Sequence, residues 1–449
     1  MKRIALLFLA VSSLCLNADA ATRPRYGRTL RVATLAKPSS LEPIQSLAPA
    51  APQLTGLIFD TLVSLDQQGR PQPQLATSWT AEGGNRRWQI ALRPGVTFHD
   101  GTPLTPDVVA ASLRAAIPSW QVSASADSIQ IITDAPNETL PIELSLPRNV
   151  IVRHDASGKV LGTGPFRVAD FQPGRKLILT ANDDYWNARP YLDSIEIEFG
   201  MSSRDQLIAL ELGKADLIDI APEQIRRSTA DGRRVVVSPP LDLFALIFTR
   251  DRQSAEEGRL REALSYCLDR ASMRSALLQG EGEVAGAVLP AWISGYEFLF
   301  PAKQDLARAQ QIKSGLKQSS AWTLSYNASD PTARLMADRI ALNARDAGLA
   351  VQVTTNQQAD LRLLRIPVVS LDARLALRGV ALAADIPPPA PGATSIDQIY
   401  QAERSLMDSQ RIIPLLHLPR AQGIGVTVRN WRRVPDAAIV RPALVARRD

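Results

Sequence analysis

A catalytic site would first show itself as a nucleophile close to a general base, and this chain offers few candidates. Beyond residue 20 its one cysteine is Cys267, and the whole chain has three histidines, His99, His154 and His417. A cysteine nucleophile needs a base beside it, but Cys267 stands in LREALSYCLDR, which has an apolar helical face. The pattern favours a buried, inert thiol. One thiol cannot form a disulfide within the chain.

Two further patterns invite chemical interpretations that their surroundings do not support. Asp183 and Asp184 are adjacent acids, but they stand before Tyr185-Trp186 and are typical of a turn. Gly162-Thr163-Gly164 lacks the Lys-Ser/Thr pair or the third glycine of a phosphate-binding loop. The three histidines are scattered, without the spacing of metal ligands. We therefore expect no catalytic residue, metal site or cofactor, and a secreted hydrolase is the least favoured alternative.

Composition narrows the class of partner. The chain has 449 residues, 51 Lys and Arg, 45 Asp and Glu, and a formal net charge of +6. This length allows two or three domains with full cores. The small basic excess is spread along the chain, without Lys/Arg blocks that alternate with aromatics, so nucleic acid is not an expected partner. Such a surface favours anionic ligands only weakly, and a mixed, solvated surface is the simpler interpretation.

The first 20 residues have the pattern of a secretory signal peptide. Lys2 and Arg3 precede an apolar run from Ile4 to Leu16, and Ala18-Asp19-Ala20 is a small-residue cleavage site. Leu14 stands before Cys15 where a lipidation site needs a small residue. We expect cleavage near Ala20 and export to the periplasm, with an uncleaved N-terminal anchor as the alternative.

A long stretch, residues 87–113, predicts the elements that position any site in the first part of the chain. Trp88, Ile90 and Leu92 alternate with more polar residues, as in a half-buried strand. His99-Asp100-Gly101 predicts a tight turn, and Thr105 followed by Pro106 predicts a capped helix start. Later, residues 127–152 alternate and predict further strands, and the apolar run from Leu243 to Thr249 predicts a buried strand.

The stretch RWQIALRPGVTFHDGTPLTPDVVAASL resembles the signature of the family 5 extracellular solute-binding proteins, the peptide-, opine- and nickel-binding receptors of ABC importers. Further blocks resemble that family in the same order, and they are Pro73 to Trp79, Gly162 to Val168, Tyr185 to Asp193 and Leu260 to Arg270. The resemblance covers most of the chain. It is strongest from about Leu30 to Arg270 and weaker from Trp292 to Thr394.

The resemblance implies an α/β fold, the two-lobed periplasmic-binding-protein fold of the large class, with mixed sheets and an extra subdomain in lobe 1. It predicts a signal peptide at 1–20, lobe 1 at 21–242 with an inserted subdomain at about 62–155, lobe 2 at 243–411, and a return to lobe 1 at 412–449. Lobe 2 is expected to be shortened, because the segment that helps to clasp the ligand in the family is brief here.

The same resemblance implies a ligand between the lobes. The candidate ligand-binding residues are Ser40, Glu42, Trp120, Thr163, Thr249, Arg250 and Trp292. Each has a structural alternative, such as an exposed loop acid for Glu42, a turn cap for Thr163 and core packing for the tryptophans.

We therefore expect an exported, monomeric receptor that binds a small ligand, with a peptide as the first expectation, and delivers it to an ABC transporter permease. The alternative of another class is an envelope interaction or scaffold protein whose cleft is vestigial. A ligand-dependent change in stability separates the two.

Overall fold

The computed structural model describes residues 26–43, 51–66, 68–317, 321–356, 358–389, 395–429 and 446–447. The expected signal peptide at 1–20 and its cleavage site near Ala20 lie outside these residues and stay predictions. Among the described residues, none of the helices has the length and apolar character needed to cross a membrane.

The first part of the chain builds a small antiparallel sheet with a helix packed against it. The sheet has the strand order β4-β5-β7-β6, and helix α2 starts where the sequence predicts, because the Thr105 hydroxyl accepts the Val108 N–H and Pro106 is the first helical residue. Trp88, Ile90 and Leu113 belong to its core. The elements are β1 (Thr29–Ala33), α1 (Ala51–Ile58), β2 (Val63–Leu65), β3 (Pro71–Pro73), β4 (Ala76–Glu82), β5 (Arg87–Leu92), α2 (Pro106–Ala116), β6 (Gln121–Ala124), β7 (Ser128–Ile132), α3 (Leu140–Glu143), β8 (Arg153–His154) and β9 (Val160–Leu161).

The prediction of strands throughout residues 127–152 is only half right. Ser128–Ile132 forms β7, but Leu140–Glu143 is helical and Pro147–Asn149 forms a 3-10 turn. Alternation predicts a strand only if the polar residues face water, and Glu143 is 4% exposed. Its carboxylate instead accepts a hydrogen bond from the Asn137 side-chain amide at 3.1 Å.

The next elements form one end of a large mixed sheet. Its strand order is β10-β11-β12-β1-β13-β19-β14-β18-β16-β17, with β15 attached to β19. Strands β12, β1 and β13 are mutually parallel. The elements in this part are β10 (Phe166–Gln172), β11 (Lys176–Ala181), β12 (Ser194–Glu198), α4 (Ser203–Glu211), β13 (Leu217–Ile220) and α5 (Ile225–Ala230).

The remaining elements build the other end of the sheet. Strand β16 is parallel to β17 and β18, and apolar clusters cover both faces of this end. The elements are β14 (Arg234–Phe248), α6 (Ala255–Cys267), α7 (Arg270–Ser272), β15 (Glu283–Val284), α8 (Ala291–Ser294), α9 (Leu306–Ser314), β16 (Trp322–Ser325), α10 (Pro331–Asp346), β17 (Val351–Thr354), β18 (Leu361–Pro367), α11 (Ala373–Ala383), α12 (Ile396–Asp408), β19 (Ile412–Ile424), β20 (Val428–Arg429) and β21 (Ala446–Arg447).

Two long strands, β14 and β19, run through both ends of the sheet. Residues 234–237 pair with 421–424, and residues 242–247 pair with 412–418, with register shifts around Pro240. We call the β10–β13 end together with the small sheet lobe 1, the β14–β18 end lobe 2, and residues 238–241 with 419–420 the crossing. The first half of β19 pairs with residues 242–247 of β14. The predicted domain boundaries, with the return to lobe 1 at 412–449, stay predictions.

Candidate functional site

The parallel strands of both lobes end at the crossing. The C-terminal end of β13 pairs with Ala421, and the C-terminal end of β18 pairs with Asp242. Ligands of α/β sheets bind in the crevice beyond the carboxyl ends of the strands. The geometry therefore places the candidate cleft between the two lobes, above the crossing.

A charged network lies at the crossing, and we call it the floor of the candidate cleft. Asp242 is 1% exposed, and its carboxylate accepts a hydrogen bond from Arg365 Nε at 2.8 Å and one from Arg420 Nε at 2.8 Å. Burial opposes ionisation of Asp242, but the two guanidinium groups hold its pKa below the usual range. One carboxylate thus faces two cations at the point where the chain passes between the lobes.

Acids from both lobes face the same floor. Burial alone would lower the pKa of Arg365, but the carboxylates of Asp242, Asp330 and Asp219 raise it above its ordinary value. Asp219 lies on β13 of lobe 1, where it accepts a hydrogen bond from the Thr34 hydroxyl at 2.5 Å. Asp330 caps helix α10 of lobe 2. The floor of the cleft is therefore shared between the lobes.

At a second meeting of the lobes, two arginine side chains lie near each other. Arg148 follows α3 in lobe 1, and Arg378 lies on α11 of lobe 2. Burial lowers the pKa of Arg148, attraction to Glu143 opposes this, and the nearby positive charge of Arg378 lowers it further. The Nε atoms of both arginines are buried and have no hydrogen-bond partner. Two like charges with unused donors across a lobe boundary are suited to hold an anion.

A pocket of about 300 Å³ lies beside Arg148. Apolar side chains of α2 and of residues 150–152 line it, and Glu42, Arg153 and His154 stand among its polar lining residues. Glu42 Oε2 is 2.9 Å from His154 Nε2, and the Ser40 hydroxyl accepts the Glu42 N–H at 3.0 Å. The predicted ligand-binding residue Glu42 thus lies at this pocket, and Ser40, another, contacts its backbone.

Trp292, another predicted ligand-binding residue, lies at the crossing. Its indole N–H donates to the Pro240 carbonyl at 3.2 Å, and 41% of the residue remains exposed. This position leaves much of the ring available to the cleft.

Two of the candidates, Thr249 and Arg250, are placed away from the cleft. They follow the end of β14 that points away from the crossing, about 30 Å beyond Pro240 at roughly 3.3 Å per residue. The Thr249 hydroxyl lies within hydrogen-bond distance of the Ala359 and Asp360 carbonyls, and Arg250 Nη1 lies 3.5 Å from the Glu257 carboxylate. The prediction assumed that the C-terminal end of β14 lies at the cleft. Because β14 is antiparallel to β18, this end lies at the edge of the sheet opposite to the C-terminal end of β18.

Trp120 and Thr163 are placed inside lobe 1. Trp120 is 7% exposed and belongs to the core of the small sheet. Thr163 is 1% exposed, and its hydroxyl donates to Asp60 Oδ2 at 3.0 Å. Core packing therefore accounts for both residues, and we do not carry them into the proposed ligand site.

Asp60, which sequence reasoning missed, joins several of the signature blocks. It is 2% exposed, and burial raises its pKa, while four hydrogen bonds act in the opposite direction. The donors are Gln74 Nε2 at 2.6 Å, Thr163 Oγ1 at 3.0 Å, Tyr185 Oη at 3.0 Å and Trp186 Nε1 at 3.0 Å. Asp60 thus joins these sequence blocks to one another inside lobe 1, and their hydrogen bonds to it have a structural role.

His99 adds two further contacts between these sequence blocks. Its ring Nε2 lies 3.0 Å from the Gly164 carbonyl, and its backbone N–H donates to the Gly162 carbonyl at 3.0 Å. Burial lowers the pKa of His99 to about 4. Because a carbonyl can only accept, the neutral ring donates from Nε2. The histidine–aspartate–glycine turn is thereby tied to the Gly162-Thr163-Gly164 turn.

We predict that Thr163→Val lowers the free energy of unfolding by about 1–2 kcal/mol, because one donor to a buried carboxylate is lost with little change in shape. Chemical denaturation measures the change. Thr80→Val, at an exposed strand position, is the matched control and should stay within about 0.5 kcal/mol of the wild type. Unchanged stability together with weaker ligand binding would contradict the structural role that we assign to Thr163.

Cys267 and metal coordination are the remaining chemical possibilities. Cys267 is buried, its thiol donates to the Leu264 carbonyl at 3.2 Å, and burial raises its pKa to about 12. Within the described part of the chain, no group of three or more His, Cys, Asp or Glu side chains is placed to hold a metal ion.

Comparison with known proteins identifies relatives of the chain. The family model described as bacterial extracellular solute-binding proteins, family 5 middle, matches residues 70–391. The chain is 21% identical to the oligopeptide-binding protein AppA of Bacillus subtilis over 294 residues, 59% of this chain and 54% of that protein. It is 25% identical to the probable D,D-dipeptide-binding periplasmic protein DdpA of Escherichia coli over 318 residues, 64% of this chain and 61% of that protein. The matches thus span between 54% and 61% of these relatives' lengths.

Solved structures show the fold. AppA from Bacillus subtilis in complex with a nonapeptide superposes with a TM-score of 0.79 at 16% identity, covering 95% of this chain and 100% of that chain. NikA from Staphylococcus aureus in complex with Ni(L-His)2 gives a TM-score of 0.78 at 17% identity, covering 94% and 100%. The periplasmic-binding-protein fold expected from the sequence is confirmed.

Proposed function

The chain belongs to the family 5 bacterial extracellular solute-binding proteins, and from that premise we propose that it captures a small carboxylate-bearing solute between its lobes. A short peptide is the first candidate. The proposal includes export to the periplasm, action as a monomer and delivery of the solute to an ABC importer's permease.

The observation that carries the proposal is the pair formed by Arg148 and Arg378. Their Nε atoms are buried without hydrogen-bond partners, and the charge of one side chain disfavours the charged form of the other. A ligand carboxylate placed between them would accept hydrogen bonds from both lobes and remove the repulsion. Because such an anion interacts best when the lobes are close, its binding favours the closed state.

The surroundings of Arg148 suit the rest of a small ligand. The adjacent pocket of about 300 Å³ is lined mainly by apolar side chains, a volume at the lower end of ordinary ligand pockets. Glu42 at this pocket and Asp219 near the crossing offer carboxylates to a cationic group. A solute with an anionic end, an apolar side chain and a cationic end therefore fits the distribution of charge.

The relatives' names agree with this chemistry. Two of them are described as binding an oligopeptide and a D,D-dipeptide, and both ligand classes have a carboxylate end. Another relative, from Staphylococcus aureus, is described as nickel-binding. A metal carried as a chelate with carboxylate ligands would use the same pair of arginines, so chelates belong in the same screen.

The test is a thermal-shift screen of the purified protein against di- to octapeptides, each offered as the free acid and as the C-terminal amide. A free-acid peptide present at 100 times its dissociation constant should stabilise the protein by about 2.7 kcal/mol, whereas its amide should have a much smaller effect. Opines, sugars and metal chelates extend the screen.

Three outcomes discriminate among the functions. A response to free acids that is lost in Arg378→Ala, and kept in the control Arg345→Ala at an exposed position, supports the proposal. An equal response to acids and amides would remove the role given to the two arginines. Silence across every class would contradict ligand capture and favour an envelope interaction or scaffold protein.

A further inference from the structure

Four buried polar side-chain atoms meet in lobe 2, away from the proposed ligand site. They are Tyr296 Oη, Glu297 Oε1, Glu403 Oε2 and His417 Nδ1. Tyr296 and Glu297 lie on residues 283–300, which we call the strap, Glu403 lies on α12, and His417 lies on β19. Tyr296 Oη faces the Glu403 carboxylate. His417 Nδ1 and Glu297 Oε1 are buried without a hydrogen-bond partner, and because such groups are rare in folded proteins, this pair calls for an explanation.

The hydrogen bonds that are present fix the proton on one side of His417. Its Nε2 lies 3.1 Å from the Val288 carbonyl, which can only accept, so Nε2 carries the hydrogen. In the neutral ring Nδ1 is then a lone pair, and it faces Glu297 Oε1 at 3.6 Å. His417 Nδ1 and Glu297 Oε1 are then two acceptors facing each other, unless the Glu297 carboxyl group is protonated and can donate.

Glu403 lies nearby. Its Oε1 accepts the Leu289 N–H of the strap at 2.8 Å. The Tyr296 hydroxyl, a donor, faces the carboxylate and favours its ionised form, against the larger opposing effect of burial. Burial raises the pKa of Glu403 to about 7. Burial, with repulsion from Glu283 and Glu403, also raises the pKa of Glu297 to about 7. Burial lowers the pKa of His417 to about 4.

The strap connects this cluster to the crossing. Strand β15 of the strap pairs with β19 at His417, and further along the strap Trp292 donates to the Pro240 carbonyl. Tyr296 packs against Tyr400 of α12 with ring centroids 5.5 Å apart. The titratable groups facing one another here are thus Glu283, Tyr296 and Glu297 of the strap, Tyr400 and Glu403 of α12, and His417 of β19.

We propose that Glu297, Glu403 and His417 form a proton-controlled latch for the strap, tight when the two carboxyl groups are protonated and loose when they are ionised. A protonated Glu297 donates to His417 Nδ1, and a protonated Glu403 adds no charge beneath the strap. Ionisation places a negative charge on Glu297, which Glu283 and Glu403 repel, and a second one on the buried Glu403. The contact of Trp292 with Pro240 then transmits the state of the strap to the crossing.

The direction of the pH effect follows from the two glutamates. Their folded-state pKa values lie above the ordinary value of 4.5, at about 7, so the stability they provide is complete below pH 4.5 and is lost as the pH rises through about 7. His417 acts in the opposite sense, since its lowered pKa favours the folded state as the pH rises from about 4 to 6.5. As the pH rises, the two glutamates lower the stability of the folded state and the one histidine raises it, so we expect the glutamates to determine the net change.

The test compares the wild type with Glu297→Gln/Glu403→Gln, in which the amides imitate protonated carboxyl groups. The difference in Tm, variant minus wild type, should grow as the pH rises from about 5 to about 8. At about pH 8 the strap should exchange amide hydrogens more slowly in the variant than in the wild type, and at about pH 5 the two should agree. Glu256→Gln, at an exposed position on α6, should run parallel to the wild type.

The outcomes do not depend on any ligand. A Tm difference that stays constant with pH would overturn the latch, and so would slower exchange spread evenly over lobe 2 instead of the strap. If the double variant fails to fold, each single variant should show a smaller change with the same sign. A sign reversal in the single variants would contradict the proposal equally.

Discussion

Asp242→Asn is expected to lower the free energy of unfolding by roughly 3–5 kcal/mol. The substitution keeps the shape of the side chain and removes the carboxylate charge that both Arg365 and Arg420 contact. Asp242 is 1% exposed, so water cannot replace its charge without opening the crossing. Two guanidinium groups would then remain close together without the charged carboxylate that bridges them.

Chemical denaturation of the variant and of two references measures this effect. Asp184→Asn is the matched control, because Asp184 also pairs with an arginine, at 3.1 Å, but its side chain is 80% exposed. Its loss should be below about 1 kcal/mol. Asp242→Asn/Arg420→Met removes one uncompensated cation and should recover part of the stability. Equal losses in the Asp242 and Asp184 variants would contradict the account of the crossing.

Gly162→Ala is expected to destabilise the protein by several kcal/mol or to prevent folding. A Cβ at this position would lie 2.0 Å from the Ile58 carbonyl oxygen and 2.7 Å from the Phe59 ring. The first contact is with backbone at the end of α1, which cannot rotate away as a flexible side chain does. The Gly162 turn and α1 would have to separate, and Asp60 with its four donors lies at that boundary.

Gly315→Ala is the control for this substitution. Gly315 ends α9 with φ −81°, and a Cβ there would meet its nearest atom at an ordinary 3.6 Å. Its effect should be within about 1 kcal/mol of zero or stabilising. Soluble expression and thermal unfolding decide the comparison, and a Gly162→Ala protein as stable as the wild type would show that the close packing at this turn is not needed.

The sequence predicted the local elements well where each one carries its own physical signal. Thr105 with Pro106 starts α2 because a hydroxyl cap and a proline at the first helical position act within one turn of chain. Gly101 adopts φ +83°, the backbone conformation that its place in the tight turn suggests. Leu243 to Phe248 forms a strand buried on both faces, as a continuous apolar run indicates.

The errors arose where a pattern depends on distant partners. Glu143 interrupts an alternating run, and only its hydrogen bond to Asn137 explains why it is buried in a helix. Thr249 was assigned to the cleft because it ends a strand, but the direction of that strand relative to β18 decides which edge it reaches.

The sequence analysis did not predict the charged residues of the proposed site, for a related reason. Arginine usually reaches water, so nothing in the local sequence marks Arg148 and Arg378 as partners from opposite lobes. The same holds for Asp242, whose two cations come from β18 and β19. Ser40, Glu42 and Trp292 were proposed as loop residues expected between the lobes, and their part in ligand binding stays a prediction.

The most direct test of ligand capture is calorimetric titration of the strongest free-acid peptide and its C-terminal amide into the wild type, Arg148→Ala and Arg378→Ala. We predict that each variant weakens binding of the free acid at least about tenfold, a change of about 1.4 kcal/mol, and leaves binding of the amide nearly unchanged. Both lobes would then be shown to hold one carboxylate. Wild-type affinity for the free acid in both variants would contradict the account.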